Sequence, residues 1–186
     1  MPSAPPPADI EAILARARAG DSDALRALFR AYHPRLLRFL RALEPRVADD
    51  LAGDVWLAVA GAIGRFEGGE AGFRAWLFAI ARNRLADHRR RAARRAQLVP
   101  LDDDPAARDD PAATALDQLS AQDAIDRLVA ELSPDQTEVV LLRVVGGLSA
   151  DEVAALTGRS PGSVRVIQHR ALKRLARTLP PTAVTR

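Results

Sequence analysis

The 186-residue sequence contains no cysteine, which excludes disulfide bonds, thiolate zinc sites and a cysteine nucleophile. Its three histidines are far apart in the chain, so a histidine-based metal site is not expected. No stretch approaches the roughly 18 apolar residues that span a bilayer, and the N-terminus lacks the basic start and apolar segment of a signal peptide. These absences predict a cytoplasmic protein that has no metal centre and does not enter a membrane.

Motifs that carry enzymatic chemistry are also missing from the sequence. It has no phosphate-binding loop and no dinucleotide fingerprint, and no serine has a recognisable basic partner. The acidic run Asp102–Asp104 lacks the glycine and the glutamate of a calcium loop. We therefore expect no catalytic activity, no cofactor and no small-molecule substrate.

Arginine, in contrast, is abundant, and it is concentrated in two blocks. Lys173 is the only lysine among 27 basic residues, and the net charge is +3. Residues 73–95 hold eight arginines and one aspartate, and residues 157–178 hold five arginines and one lysine with no acid. The stretch between them, residues 101–126, holds eight aspartates and one arginine. Two basic blocks around an acidic spacer favour a polyanion-binding protein, although solvated arginine-rich helix faces would give the same counts.

The spacing of apolar residues predicts helices along the chain, and strand-like alternation is absent from the sequence. Steps of three and four form a stripe in a helix that ends near Leu43, and further helices are predicted over 47–63 and from Phe73 to about Ala93. The glycine-rich residues 68–72 between them are predicted to form a loop. The aromatic residues expected in the core are Tyr32, Phe39, Trp56 and Trp76.

We expect an all-α fold made of two small helical domains. A flexible acidic linker, rich in proline and aspartate, interrupts the helical pattern and separates them. The predicted division is a proline-rich disordered tail at 1–9, a first domain at 10–95, the linker at 96–115, a second domain at 116–180 and a short tail at 181–186.

A helix-turn-helix pattern lies near the C-terminus. Ser133 and Gln136 have the spacing of a capping box, with Pro134 at the first helical position, and predict a helix that begins there. Ser149 and Glu152 have the spacing of a second capping box, at the start of a helix that is predicted to end at Thr157. A turn at 158–159, which contains a glycine, leads to a second helix predicted over Pro161–Leu179. Two short helices joined in this way, the second of them basic, are typical of helix-turn-helix DNA-binding motifs.

The second helix of this pattern has an apolar face and a basic face. The positions predicted to pack inward are Val164, Ile167, Ala171 and Leu175. Arg165, His169 and Lys173 lie on the opposite face. The N-terminal residues of such a helix reach base edges in the major groove, where Arg165 can form a bidentate contact with guanine. Later arginines are better placed to bind phosphates.

Four groups of short motifs, in this order along the chain, resemble those of a known protein family. They are Ala48–Leu51 with Val55–Leu57, Gly72–Leu77 with Ile80–Asn83, Leu132–Pro134 with Gly147–Ala154, and Gly162–Arg165. The family is the extracytoplasmic-function class of bacterial sigma factors within the sigma-70 family, and the resemblance covers about residues 10–180. Two departures are visible: Gly53 and Asp54 stand where the family has glutamine and glutamate, and Val166 and Ile167 replace more polar residues.

The resemblance implies a sigma factor, which binds core RNA polymerase and directs transcription initiation at promoters. Residues 10–95 would be region 2, which binds the β′ clamp helices and recognises and opens the −10 element. Residues 116–180 would be region 4, which reads the −35 element and touches the β flap. An anti-sigma factor is a common further partner in this family.

The resemblance also implies which residues make these contacts. The positions for polymerase binding are Asp50, Leu51, Asp54, Val55 and Leu57. Those for the −10 element are Phe66, Gly68, Glu70, Phe73, Asn83, Arg84, Asp87 and Arg90. Those for the −35 element are Ser163, Arg165, Val166, His169, Arg170 and Lys173. Among the −10 positions, a loop at about Glu67–Phe73 would hold a flipped base, and Asn83 would contact that base.

Two other interpretations remain open on the sequence alone. A free-standing helix-turn-helix regulator that binds duplex DNA as a dimer would account for the second basic block. It would leave the first basic block, residues 73–95, without a function. A helical interaction protein leaves both blocks unexplained. The N-terminal 95 residues discriminate between the interpretations, because a regulator would use them for dimerisation or for a ligand pocket.

Overall fold

The computed structural model describes residues 9–98 and 130–178. Within these two ranges every regular element is helical, which confirms the all-α prediction. The proline-rich tail, most of the predicted linker, the helical segment expected from about Leu116 and the C-terminal tail lie outside the described residues.

Four helices form the first group. They are α1 (Ile10–Arg18), α2 (Ser22–Leu43), α3 (Ala48–Ala62) and α4 (Glu70–Leu98). Short 3₁₀ turns follow α2 and α3 and redirect the chain towards the next helix. Each helix turns an apolar side towards the others, and the buried residues of all four belong to one core.

The start of α4 corrects the sequence prediction. The pattern placed residues 68–72 in a loop and began the helix at Phe73, whereas the helix begins at Glu70. Gly69, directly before it, has no side chain that could cap the helix. The carboxylate of Glu11 in α1 accepts a hydrogen bond from the Glu70 N–H at 2.7 Å and supplies the missing partner. Because these two residues are 59 positions apart, the local pattern could not indicate this start.

Three helices of the second group lie fully within the described residues 130–178. They are α5 (Pro134–Val140), which continues as a π-helical turn over Leu141–Val145, α6 (Ala150–Thr157) and α7 (Pro161–Thr178). The predicted helix starts at Pro134, Ala150 and Pro161 are confirmed. The π-helical turn was not predicted, because the nearly continuous apolar run from Val139 to Val145 has no clear period in which an extra residue could be recognised.

Both capping boxes expected from the sequence are formed. The Ser133 side chain accepts a hydrogen bond from the Gln136 N–H, and the Gln136 side chain accepts one from the Ser133 N–H. Ser149 and Glu152 make the same reciprocal pair at the start of α6. Residues three positions apart therefore set these two helix starts locally, which is why sequence reasoning could find them.

The core confirms the aromatic assignments from the sequence. Tyr32 and Trp56 are buried, Phe39 is fully buried, and Trp76 is partly buried against the same core. Phe39 meets Phe78 edge to face, with ring centroids 5.3 Å apart, in the preferred geometry for aromatic pairs.

The second group of helices packs directly against the first. Buried residues of α5 and α6 belong to the same core as those of α2 and α4. The members of this core that come from the second group are Val139, Leu141, Leu142, Leu148, Ala150, Val153, Ala154 and Val164. The helix-turn-helix is therefore positioned on the first group by apolar packing as well as by polar contacts.

Candidate nucleic-acid interface

The helix-turn-helix predicted from the sequence is present as α6, a tight turn and α7. Gly158 ends α6 with φ +68°, in the left-handed conformation that favours glycine. The Arg159 N–H donates to the Ala154 carbonyl at 3.1 Å, and the Ser160 hydroxyl accepts a hydrogen bond from the Ser163 N–H at 3.1 Å. A glycine and a capping serine therefore set the direction in which α7 leaves the turn.

The two faces of α7 are as predicted. Val164, Ala171 and Leu175 are buried, and Ile167 is half-buried. Ser163, in the first turn, is also half-buried. The residues on the exposed side are Arg165, Val166, His169, Arg170 and Lys173. This side offers hydrogen-bond donors and positive charge to a polyanion.

Arg165 has an acidic neighbour within the described residues. Its Nη2 lies 3.8 Å from Oδ2 of Asp151 in α6, and the two side chains are 63% and 72% exposed. An ion pair that is long and exposed contributes little stability, so exchanging it for a base or a phosphate costs little. The Arg165 guanidinium is thus available at the N-terminal part of α7, where a recognition helix reaches base edges.

A second candidate surface lies between α3 and α4. Asn83, which is exposed, borders a cavity of about 280 Å³ together with Arg84 and Asp87. The remaining lining residues are Ala58, Ala62, Trp76 and Ile80. A cavity with an apolar floor and a polar rim matches a nucleobase, which has apolar faces and a hydrogen-bonding edge.

The loop before α4 is closed against that helix by aromatic contacts. Phe66 stacks on Trp76, with ring centroids 5.0 Å apart, and meets Phe73 edge to face at 5.9 Å. Gly68 has φ +131°, and an added Cβ there would lie 3.3 Å from the Phe66 ring. The loop brings Phe66, a predicted −10 contact, onto Trp76, which lines the same cavity as Asn83, while Gly68, another predicted contact, lies against Phe66.

Three of the predicted contact residues lie in the core. Phe73 and Val55 are 0% exposed and Leu51 is 5% exposed, so none of them reaches a partner from its place in this structure. Their side chains occupy the apolar stripes of α3 and α4, and the stripe of an amphipathic helix is the side that packs. We therefore assign them a supporting role beneath the candidate surfaces.

The exposed side of α3 has a different character. Asp50, Asp54 and Leu57 are spaced so that they share one face of the helix, and the Leu57 side chain is 73% exposed. Carboxylates repel phosphates, while an exposed leucine favours apolar contact. This face suits a protein partner rather than DNA.

Several polar groups on α4 are already bound within the protein. Arg89 donates to the Glu44 carboxylate at 2.7 Å and to the Leu43 carbonyl at 3.1 Å. Arg90 donates to Asp87, so two of the predicted −10 contacts pair with each other. These side chains are half-buried or exposed, and an incoming phosphate would compete with their present partners.

Glu70, another predicted −10 contact, is held by two neighbours. The Tyr32 hydroxyl donates to Glu70 Oε1 at 3.1 Å, and Arg74 Nη1 lies 3.7 Å from the same oxygen. Burial, together with the nearby Glu70 charge, raises the pKa of Tyr32 well above its usual range, so the hydroxyl keeps its proton. These contacts hold Glu70 in place, and with it the first turn of α4.

Three residues that the sequence pattern did not indicate make long-range contacts at this interface. Arg82 donates to Glu138 at 2.8 Å, Glu11 of α1 accepts from the first residue of α4, and Arg18 of α1 donates to the loop before it. Their partners are between 50 and 59 positions away in the chain. Ordinary exposed charges on helices gave no signal that could have found them.

Within residues 9–98 and 130–178, no three histidine, aspartate or glutamate side chains come together in a way that could hold a metal ion. No helix of those ranges is long and apolar enough to cross a membrane.

Comparison with known proteins identifies both parts of the chain. Residues 28–95 match the family described as Sigma-70 region 2, and residues 122–175 match the family described as Sigma-70, region 4. The ECF RNA polymerase sigma factor ShbA of Streptomyces griseus is 38% identical over 177 residues, which cover 89% of this chain and 93% of that protein. The ECF RNA polymerase sigma factor SigD of Mycobacterium tuberculosis is 38% identical, covering 89% of this chain and 82% of that protein.

Solved structures agree with this assignment. The sigma factor RpoE of Bartonella quintana, solved in complex with the anti-sigma factor NepR, is 28% identical with a TM-score of 0.62, and the match covers 82% of this chain and 94% of that one. CnrH, solved with the cytosolic domain of CnrY, has a TM-score of 0.61 at 22% identity over 91% of this chain and 97% of that one, and shows the same fold.

The chain belongs to the extracytoplasmic-function (ECF) sigma factors of the sigma-70 family. It directs promoter-specific transcription, with core RNA polymerase and promoter DNA as its partners. The free-standing regulator is not favoured, because both basic blocks fall in regions that match sigma factors.

Proposed function

We propose that three surfaces of this chain have separate binding roles in promoter recognition. The exposed face of α3 binds core polymerase, α4 with the preceding loop recognises and opens the −10 element, and α7 reads the −35 element. The observation that carries this proposal is the position of Asn83 and Arg84 at the rim of an apolar cavity, on a helix whose opposite side is core. The chain itself supplies binding groups only, and RNA synthesis belongs to the core enzyme in the cytoplasm.

At the −35 element, Arg165 supplies sequence choice and the later basic residues supply affinity. A guanidinium binds the O6 and N7 atoms of guanine through two parallel hydrogen bonds, which discriminates between bases by roughly 1–3 kcal/mol. Arg170 and Lys173 lie further along the exposed side of α7, where phosphate contacts set affinity and salt dependence. Val166, which is 49% exposed, can contact a thymine methyl group.

At the −10 element, Asn83 receives a base that has left the stack. Unstacking and unpairing a base cost a few kcal/mol, which contacts in the cavity must offset. The amide of Asn83 donates and accepts hydrogen bonds, so it can pair with a base edge. Trp76 and Ile80 line the cavity and can cover the face of the base. Arg84, beside them, can bind the phosphate of the same nucleotide.

At the polymerase, α3 contributes the exposed Leu57 next to the carboxylate of Asp54. Asp54→Asn should weaken the binding of core polymerase, because it removes one of the charges next to Leu57. Asp23→Asn is the matched control, since Asp23 is also exposed but lies in the first turn of α2 and pairs with Arg26 at 2.8 Å. Equal core affinity of the two variants would remove α3 from the proposed polymerase surface.

A further partner follows from likeness to a solved relative. RpoE of Bartonella quintana, which shares the fold at 28% identity, was solved with an anti-sigma factor. We include a protein of that kind among the proposed partners of this chain. It would act by covering the surfaces of α3, α4 or α7.

The experiment that tests the proposal is gel filtration of the purified chain with core RNA polymerase of Streptomyces griseus, the source of one relative. No DNA is present. We expect one complex that contains both and that then transcribes promoter DNA. Failure to form the complex, combined with tight binding of the free chain to duplex DNA as a dimer, would instead support the free-standing regulator.

A further inference from the structure

The loop that precedes α4, residues 66–69, is held from outside by two side chains of α1. Glu11 accepts a hydrogen bond from the Glu70 N–H at 2.7 Å, and Arg18 donates to the Gly68 carbonyl. We propose that Glu11 and Arg18 are positioning residues for base capture, which hold this loop in the conformation that receives an unstacked base of the −10 element. The inference rests on the function proposed above for the loop.

The loop cannot set its own conformation. Gly68 and Gly69 are consecutive glycines, and glycine loses more backbone entropy on ordering than any other residue. Neither has a side chain that could form a turn or cap contact, and the φ of +131° at Gly68 is a conformation that residues with side chains rarely adopt. Contacts from another part of the chain must therefore select one conformation from many.

Glu11 acts as the helix cap that Gly69 cannot provide. The first N–H groups of a helix have no partner inside it, and the Glu11 carboxylate accepts from the first of them, that of Glu70. It also places a negative charge at the positive end of the helix dipole. A Cβ added at Gly69 would lie 2.6 Å from Glu11 Oε1, so the glycine leaves the space that this carboxylate occupies.

Arg18 connects the loop to the aromatic floor of the cavity. Its guanidinium carbon lies 5.3 Å from the centre of the Phe66 ring, within cation–π range, while its Nη2 donates to the Gly68 carbonyl. Phe66 in turn stacks on Trp76, which lines the cavity that Asn83 borders. One arginine thus holds both the backbone and the aromatic ring of the loop.

Packing does not account for these polar contacts. The inward residues of α1, Leu14 and Ala17, are 0% and 2% exposed and join the helix to the core. Glu11 and Arg18 lie at opposite ends of the helix, and they hold the two ends of the segment from Gly68 to Glu70, where the loop joins α4. The match to region 2 covers residues 28–95, so α1 lies before the matched residues.

The test uses the full chain reconstituted with core RNA polymerase. Base capture is probed with a pool of forked promoter DNA in which the single-stranded −10 segment is randomised, and its readout is enrichment of the preferred −10 sequence. The rate of opening is measured separately on a fully duplex promoter that carries that sequence. The variants are Glu11→Ala, Glu11→Gln and Arg18→Ala. Arg16→Ala is the matched control, because Arg16 lies on the same helix but pairs with Asp21. Core affinity and the melting temperature of the free chain are measured alongside.

We expect Glu11→Ala and Arg18→Ala to reduce −10 enrichment and opening roughly tenfold, the scale of one lost hydrogen bond to a charged group. Core affinity should stay at the wild-type value in both. Glu11→Gln keeps an acceptor oxygen and should recover most of the loss. Arg16→Ala should behave as the wild type does.

Wild-type enrichment and opening in both alanine variants would overturn the inference. It would also be overturned if core affinity and melting temperature fell in parallel with opening, because α1 would then act only on stability. A wild-type chain that binds core polymerase but enriches no −10 sequence would overturn the function proposed for the loop, and the inference with it. This outcome can be distinguished from failure of the inference alone, because it is observed with the wild-type chain and needs no variant.

Discussion

Arg82 and Glu138 join the two groups of helices through a hydrogen-bonded ion pair. Arg82 Nε donates to Glu138 Oε1 at 2.8 Å, and Arg82 Nη1 donates to the Leu156 carbonyl at 2.7 Å. Leu156 lies in α6, the first helix of the helix-turn-helix. Arg82 also directly precedes Asn83, so this contact docks the proposed −35 reader beside the proposed −10 surface.

This relationship predicts a measurable coupling between the two residues. The side chains of Arg82 and Glu138 are 35% and 23% exposed, so the pair is only partly screened by solvent. We expect a double-mutant cycle of Arg82→Ala and Glu138→Ala, measured by urea unfolding, to give a coupling of about 0.5–1 kcal/mol. Arg82→Ala alone should cost more than Glu138→Ala, since it also leaves the Leu156 carbonyl without this donor. Strictly additive effects would show that the pair is absent in solution.

Arg165 is expected to determine sequence choice at the −35 element. Arg165→Ala should weaken the use of the preferred −35 sequence by roughly 1–3 kcal/mol and relax selectivity at the contacted position. Arg177→Ala is the control, because Arg177 is exposed near the other end of α7 and should act on all sequences alike. Transcription from promoters that differ at single −35 positions measures both effects. If Arg165→Ala reduced transcription equally on all promoters, Arg165 would be identified as a phosphate contact that does not choose between sequences.

Asn83 is expected to act in promoter opening and not in polymerase binding. Asn83→Ala removes the amide that pairs with the flipped base but leaves the helix and the core unchanged, since Asn83 is exposed. Permanganate reactivity of thymines in the −10 region should therefore fall while the affinity for core polymerase stays the same. Loss of core affinity in this variant would identify Asn83 as a structural residue.

His33 is expected to make the stability of the protein depend on pH. Its ring stacks on Phe29 with centroids 4.4 Å apart, and its Nδ1 is buried with no hydrogen-bond partner among the described residues. Burial lowers the pKa of His33 below its usual range, and Arg41 lowers it further, while Asp49 opposes the shift. The folded state therefore favours the neutral ring.

The sign of this effect follows from proton linkage. Below about pH 6.5 the unfolded state binds a proton at His33 that the folded state does not yet bind. The stabilisation is thus complete above that pH and is lost as the pH falls towards the lowered pKa of the folded state. We expect the free energy of urea unfolding to decrease from pH 7.5 to 5.5, and to decrease less in His33→Gln. The same slope in both proteins would assign the pH dependence to other groups.

Local signals explain which features the sequence could predict. The helix-turn-helix follows from a capping box at Ser149 and Glu152, a glycine at 158 and an apolar stripe, all of which act within a few residues. The helices and the aromatic core follow from apolar spacing in the same way. The contact residues themselves remain predictions, because they were transferred from a resemblance.

Long-range contacts explain what the sequence could not predict. The start of α4 depends on Glu11, and the docking of the second group depends on Arg82, each with a partner more than 50 positions away. The positions in α3 for which the resemblance implied polymerase contacts also include both core and surface residues. Leu51 and Val55 face inward while Asp54 and Leu57 face solvent, and only the packed structure separates the two sets.

The most direct test of the central claim is transcription by core RNA polymerase, with and without the purified chain, from a DNA library randomised upstream of the start site. Sequencing the templates that yield transcripts should reveal two preferred blocks at a fixed spacing, which appear only when the chain is present. Arg165→Ala should relax the upstream block at the position that Arg165 contacts, and Asn83→Ala should weaken the downstream block. Transcripts that do not depend on the chain, or a single block that neither variant changes, would contradict the account.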